Sequence, residues 1–372
     1  MIKLLSIIGT RPQIIKAAAL HRSIQTNFTK QLQEVVVYTG QHYSADLGMD
    51  ILNELRLPSP KYHFDLSSQN RADRIEEMNI KCQAILNKVK PDFVIVYGDT
   101  DTTLSGSMAA IATKLPLVHI EAGMRSNNTE MPEEFNRIFC DKHASLHFTA
   151  SVSASKNLLS EGLQNPHYVG DVMLDNFLHY DKSTESILLK KLELEAEDFG
   201  VFTLHRNYNT DQSQNLVFSI NALNHYTREN KFHCIFPIHP RTKTKLESND
   251  CALLFKAIKN NPFIHLTGPL PYLEMIGLLK KARLVLTDSG GLQKEAYFAK
   301  KACIILRSET EWTEILATGS AKLAHGSDEI ILKIIKEMHD RKDLKFPEIF
   351  GDGKAADYIC QEIIKTHQSN NS

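Results

Sequence analysis

Residues Asp288 to Glu295 read Asp288-Ser289-Gly290-Gly291-Leu292-Gln293-Lys294-Glu295 and follow the apolar run Leu284-Val285-Leu286. A small hydroxyl and two glycines at a strand-to-helix junction leave backbone N–H groups open. Glycine lets an anion approach the backbone, and the helix dipole favours negative charge at that end. A phosphate or diphosphate is the natural guest, with Ser289, Gly290 and Gly291 as its cradle and Gln293 or Glu295 within reach of a sugar hydroxyl. A plain tight turn without a guest is the alternative.

Other candidates also stand where apolar runs stop. Gly9-Thr10-Arg11-Pro12, with Gln13 and Lys16, follows the first run, and cations at a helix start point to an anionic ligand. Asp99 lies in Gly98-Asp99-Thr100-Asp101, where Asp99 or Thr100 equally suits a helix N-cap. Glu121 directly follows Leu117-Val118-His119-Ile120. A carboxylate there is costly unless paired, and Arg125 is an available partner. Glu133 and Glu134 follow Pro132, which is also an ordinary first helical turn. His205 follows Thr203-Leu204, and His239 stands in Ile238-His239-Pro240-Arg241. Carboxylates and histidine suit proton transfer, and an anion site suits a departing phosphate. No Cys-x-x-Cys spacing occurs, so neither a zinc site nor a thioredoxin-like motif is expected.

These positions need a scaffold that gathers strand ends. Short apolar runs at 4–8, 34–38, 92–97 and 117–120 alternate with helical patterns at 13–25, 105–113 and 154–162. The pattern restarts with runs at 200–204, 233–238, 263–266, 283–286 and 302–305. Continuous apolar strands separated by helices predict parallel sheets covered on both faces, here α/β with two doubly wound Rossmann-like halves. The boundary is expected near Val169-Gly170-Asp171, with a helical stretch over 181–198 and a disordered tail over 368–372. Ligands of such sheets bind at the carboxyl ends of the strands.

The chain has 372 residues, 42% hydrophobic and 23% charged, which suits two globular domains. A net charge of −1 provides no global attraction to nucleic acid or acidic membrane. No apolar run approaches the roughly 20 residues of a membrane span. The six scattered cysteines read as buried thiols in a reducing cytoplasm.

In their order and spacing these segments resemble the non-hydrolysing UDP-N-acetylglucosamine 2-epimerase family over nearly the whole chain. The matching pieces are Gly9-Thr10-Arg11-Pro12 with Lys16, Thr39-Gly40-Gln41-His42, Gly98-Asp99-Thr100, His119 to Arg125 and Pro132 to Arg137. In the second half they are His205-Arg206, Thr287 to Glu295 and Gly351-Asp352-Gly353-Lys354-Ala355. The resemblance implies a glycosyltransferase-B-like fold, its two domains facing across a cleft. Residues 1–169 plus 355–372 would form the domain with the catalytic carboxylates, and 170–354 the UDP-binding domain. It implies Asp99, Glu121, Glu133 and His205 as catalytic groups. Substrate and UDP would be bound by Arg11, Lys16, His239, Arg241, Ser289, Gly290, Gly291 and Glu295. No metal, NAD or other cofactor is implied. A homodimer and a place in polysaccharide biosynthesis are.

The implied reaction interconverts UDP-GlcNAc and UDP-ManNAc by anti elimination of UDP through a 2-acetamidoglucal, followed by re-addition. Gln13 replaces the family's usual Glu, and His205-Arg206-Asn207-Tyr208-Asn209 replaces His-Arg-Arg-Glu-Asn. The segment Leu306 to Glu314 carries the single Trp. These variants resemble a branch acting on UDP-2,3-diacetamido-glucuronate. Gln41-His42-Tyr43-Ser44 lacks the second Gln of members activated by bound UDP-GlcNAc. A hydrolysing epimerase, a glycosyltransferase of the same fold and a nucleotide-sugar sensor are the rival readings. A dehydrogenase is disfavoured, since no Gly-x-Gly-x-x-Gly follows the first run.

Overall fold

The computed structural model describes residues 1–41, 45–128, 130–181 and 184–370. His42, Tyr43 and Ser44 of the segment set against UDP-GlcNAc-activated relatives lie outside them. The chain divides into two compact units, Met1–His179 with Glu348–Ser372, and Tyr180–Pro347.

The first unit contains β1 (Ile2–Ile8), β2 (Leu32–Tyr38), β3 (Tyr62–His63), β4 (Phe93–Tyr97), β5 (Leu117–Ile120), β6 (Leu146–Thr149) and β7 (His167–Tyr168). They form one sheet in the order β3-β2-β1-β4-β5-β6-β7. The pairings are parallel. The second unit contains β8 (Phe199–Thr203), β9 (His233–Pro237), β10 (Ile264–Thr267), β11 (Leu284–Thr287), β12 (Ala302–Ile305) and β13 (Ala321–Leu323). Its order is β10-β9-β8-β11-β12-β13, again parallel. Both orders are doubly wound, as the alternation of runs and helices predicts.

Each sheet reverses its winding once, between β1 and β4 and between β8 and β11. Helices leave opposite faces there, which opens a crevice at the carboxyl ends. β4 is buried along its whole length, as a strand covered on both faces must be. The helix Asp101–Ala112 lies close against it because Gly106 has no side chain. A Cβ there would meet Val96 Cγ1 at 2.9 Å and Ile7 Cδ1 at 3.0 Å.

Three local expectations are corrected. Among the described residues of the stretch 181–198, Asp181 ends the helix Val172–Asp181 and Ile187–Lys191 forms a separate short helix, capped by the Ser186 hydroxyl, which receives Leu189 N–H at 3.1 Å. The last helix runs Ala355–Asn370, so residues 368–370 are helical and not a loose tail. The first unit also reaches past the boundary expected at Val169-Gly170-Asp171, because the helix Val172–Asp181 is bonded to it. Arg22 Nη1 donates to Asn176 Oδ1 at 2.8 Å, and the Asp175 carboxylate accepts Ala355 and Ala356 N–H at 3.1 and 2.8 Å. The return at Glu348 likewise precedes the expected Ala355.

Candidate active site

In the first unit the β1 loop is tied to the end of β4 by Gln13. Its Oε1 receives Gly9 N–H at 2.9 Å, and its Nε2 donates to Tyr97 O at 3.0 Å and Thr103 Oγ1 at 3.1 Å. An amide has both an acceptor and a donor to spend here. A carboxylate could accept from Gly9 but could not donate to Tyr97 O. Thr100, and not Asp99, caps the next helix, accepting Thr103 N–H at 3.4 Å. The Asp99 carboxylate is thereby released from capping and receives Arg137 Nη2, keeping 34% of its side chain exposed. Arg137, only 3% exposed, also donates to Glu134 Oε2 at 2.9 Å. Glu134 in turn accepts Ser126 N–H at 2.9 Å and Asn127 N–H at 3.1 Å.

Glu121 is paired with buried Lys16 and not with Arg125. Arg125 reaches Asp141 and Glu161, each at 2.7 Å. Lys16 therefore sits among the carboxylates at the strand ends, directly beside Gly98. That glycine has φ +61°, and a Cβ on it would lie 2.9 Å from Lys16 Nζ. Glu121 itself has φ +70°, held by Glu121 and Ala122 N–H, which both donate to Phe148 O at 3.0 Å. A left-handed non-glycine costs of order 1–3 kcal/mol and marks a position that the surroundings over-determine. Glu133 is half-buried on the first turn of the helix Pro132–His143, and among the described residues its carboxylate has no ion-pair partner. Arg11 is half-buried on the first turn of Arg11–Ser23, a helix with no acidic residue at its start.

In the second unit Asp288 is the organising group. Fully buried, it accepts His205 N–H at 2.9 Å, Arg206 N–H at 2.8 Å and Asn209 Nδ2 at 3.0 Å. His205 Nδ1 is 3.2 Å from its other oxygen. Burial would raise the carboxyl pKa, but His205, Asn209 and the Arg206 N–H outweigh it and hold Asp288 below its ordinary value. The β8 end is thus locked to the β11 end, and His205 projects partly exposed. The His239 ring lies 5.4 Å from that of His205, and its Nδ1 accepts Arg241 N–H at 3.2 Å. On the surface Arg241 Nη2 donates to both oxygens of Asp211, at 2.7 and 2.8 Å.

Ser289 caps the helix Gly290–Phe298, accepting Leu292 N–H at 3.4 Å. Gly290 is not required by packing. A Cβ there would make only ordinary contacts, 3.6 Å to Trp312 Nε1, 3.7 Å to Arg206 Nη2 and 3.9 Å to Glu311 Oε2. The space above Gly290 is bordered by an indole N–H, a guanidinium and the Glu311 carboxylate, whose charge is taken up by Arg307 at 3.0 Å, so an anion can still be drawn close to the backbone. Gly291 follows it half-buried on the same helix, and Glu295 is buried there. The single Trp belongs to this surround, with Lys294 Nζ 4.1 Å from its ring.

The family model described as UDP-N-acetylglucosamine 2-epimerase matches residues 25–364. The chain belongs to that family. The family is one of isomerases, and the chain is an isomerase with the two-domain, glycosyltransferase-B-like fold. A UDP-N-acetylglucosamine 2-epimerase homolog of Methanococcus maripaludis is 38% identical over 97% of the chain and 99% of the relative. The UDP-2,3-diacetamido-2,3-dideoxy-D-glucuronate 2-epimerase of Pseudomonas aeruginosa is 36% identical over 98% and 99%. The crystal structure of Methanocaldococcus jannaschii UDP-GlcNAc 2-epimerase in complex with UDP-GlcNAc and UDP has a TM-score of 0.88, at 34% identity over 97% and 99%.

Among the sequence-predicted residues the structure pairs Lys16 with Glu121 and His205 with His239. It places Ser289, Gly290, Gly291 and Glu295 on one helix start. Arg137 and Asp288 were missed as site residues. Asp288 follows a buried strand just as Glu121 does, so the same burial cost could have marked it. Arg137 stands three residues beyond Glu134, a helical pairing distance.

Proposed function

We propose that this 2-epimerase interconverts UDP-GlcNAc and UDP-ManNAc without a redox cofactor or metal. Asp99, Glu121 and Glu133 in the first unit and His205 in the second carry the proton transfers. One base takes the C2 proton, the C2–H electron pair becomes the C1=C2 bond of the 2-acetamidoglucal, and the C1–O pair leaves with UDP. A second group returns a proton to the opposite face of C2, and UDP adds back. Ser289, Gly290 and Gly291 hold the diphosphate, Glu295 the ribose, and Arg11, Lys16, His239 and Arg241 complete the binding set. The observation that carries the reading is the content of the two switch points. One has two carboxylates, Asp99 and Glu121, each against its own buried cation. The other has an anion-ready helix start beside a fixed histidine.

The test is proton NMR of UDP-GlcNAc with the protein in D₂O. Loss of the C2 proton signal and growth of the UDP-linked manno isomer are expected. Free ManNAc would identify a hydrolysing enzyme. Exchange only with the diacetamido-glucuronate would move the substrate to that named for the Pseudomonas aeruginosa relative. Binding without exchange on either sugar would leave a nucleotide-sugar sensor.

Cytoplasmic location, service to polysaccharide biosynthesis and a homodimer belong to the same proposal. Among the described residues no helix is long and apolar enough to cross a membrane. The six cysteines are buried and free. Ile80, Ile111 and Phe135 are exposed on three successively packed helices, apolar surface that a second copy would cover. Light scattering at micromolar concentration would return a monomer mass if that reading is wrong.

A further inference from the structure

His119 has no exposed surface. Its Nε2 lies 2.7 Å from Gly98 O, and its Nδ1 lies 2.7 Å from Asp141 Oδ1. A peptide carbonyl only accepts, so Nε2 carries a hydrogen. Asp141 Oδ2 already receives Arg125 Nη1 at 2.7 Å and Gly123 N–H at 3.1 Å. A carboxyl held by a guanidinium and a backbone N–H is ionised, so Oδ1 accepts as well, and Nδ1 also carries a hydrogen. A ring that donates from both nitrogens is an imidazolium.

The acceptor on the far side is the carbonyl preceding Asp99. Gly98 is in the left-handed region, outside strand and helix geometry, so its carbonyl needs a partner from elsewhere in the fold. His119 provides it from β5, with Asn136 Nδ2 on Asp99 O at 2.9 Å and Ile120 O receiving Gly98 N–H at 2.9 Å. His119 also stands two residues before Glu121. One charged ring therefore joins the backbone of two proposed proton-transfer groups.

We infer that His119 is a permanent imidazolium that fixes the Gly98–Asp99 peptide, making it a positioning residue for Asp99. Resting on the epimerase reading for its consequence in turnover, the inference concerns a residue that touches no substrate. Burial opposes the charge, while Cys140 and Asp141 beside the ring raise its pKa well above the usual value. The other titratable groups of this cluster are His147, whose Nε2 is bonded to Asp141 O at 2.7 Å, and the Arg125–Glu161 pair behind Asp141.

Histidine ring ¹⁵N correlation spectra of the full-length wild-type protein test the charge without any sugar. The ring is identified by contacts of its N–H protons with the Gly98, Asp99 and Gly123 amides. Both nitrogens should stay protonated from about pH 5.5 to 9, across the range where an ordinary histidine titrates. One unprotonated nitrogen at neutral pH would overturn the inference. His119→Gln and His119→Asn should lower kcat roughly 10- to 100-fold, the scale of a misplaced catalytic group. UDP affinity and KM should stay within threefold. Full turnover in a folded variant, or failure of both variants to fold, would overturn the positioning role. A wild type inactive on every UDP-sugar, with the imidazolium intact, would sink the functional reading and leave the charge assignment standing.

Discussion

An asparagine at position 288 should silence His205 while leaving the second unit folded. Asp288 Oδ2 holds His205 N–H, Arg206 N–H and Asn209 Nδ2, and Oδ1 faces His205 Nδ1. An asparagine oxygen in the Oδ2 place can keep the first three bonds, now to a neutral acceptor. Its NH₂ then faces Nδ1 and can only donate to it. The ring must accept there and carry its proton on Nε2, the reverse of the wild-type tautomer. A histidine protonated on its outward nitrogen cannot act as a base from that atom. General acid–base groups contribute about 10²- to 10⁴-fold, and the same tautomer exchange in a protease triad costs near the top of that range. We expect kcat to fall about 10²- to 10⁴-fold.

The stability cost follows from the same bonds. Hydrogen bonds to a charged group are worth about 1.5–3 kcal/mol against roughly 1 for neutral ones. With two or three bonds downgraded, the loss is about 2–4 kcal/mol, or roughly 5–15 °C in Tm for a unit of this size. Asp288 is held below its ordinary pKa, so its contribution is present above the unfolded value, about 3.9, and is lost as pH falls through the folded value. The Tm gap between wild type and Asp288→Asn should therefore be constant above about pH 5 and close in acid. C2 deuterium exchange, thermal melts and the ¹⁵N tautomer of His205 together decide the matter. Turnover within threefold of wild type, with the tautomer reversed, would refute a base role for His205.

Gly290→Ala should leave Tm unchanged or slightly raised, since its methyl meets nothing nearer than 3.6 Å, while UDP affinity falls tenfold or more; calorimetric titration showing wild-type affinity would remove the diphosphate from that backbone. Gly98→Ala puts a methyl 2.9 Å from Lys16 Nζ at φ +61°, so a loss of about 1–3 kcal/mol in a urea melt and disturbed turnover are expected together. Asp175 is pushed up to about 6, chiefly by burial and against the pull of the Ala356 and Ala355 N–H groups. Its folded form binds the proton more tightly than the unfolded chain, so this term favours folding at low pH and is lost as pH rises from about 4 to 6. Asp175→Asn should flatten that slope by about 2–3 kcal/mol in denaturant melts at the two pH values, and an unchanged slope would assign it to another group.

What the sequence made legible was position along the chain, and what it hid was who faces whom. All nine apolar runs are strands, since strands covered on both faces are built from predominantly apolar residues. The missed strands are β3 and β7, two residues each, β6 with His147 inside it, and β13 with Lys322. Two- and three-residue strands are too short to show a pattern, while β6 carries one histidine just as the correctly read β5 and β10 do, so its composition does not explain the miss.

The site shows the same division. The cost of a buried carboxylate correctly demanded a cation for Glu121, but sequence proximity favoured Arg125, four residues away. The parallel order β1-β4-β5 carries Lys16 to the same sheet edge from over a hundred residues away. Arg125 is drawn off by Asp141, which the sequence offers as an ordinary residue of an amphipathic helix. Burial penalties state that a partner exists, while sheet order decides which one. The order itself is set by crossover handedness and packing, which no local pattern contains. That is also why His119 escaped notice. Its neighbours in sequence are apolar, and its two oxygen partners lie 21 and 22 residues away in opposite directions. Only the assembled sheet shows that both of them are acceptors, and hence that the ring between them carries charge.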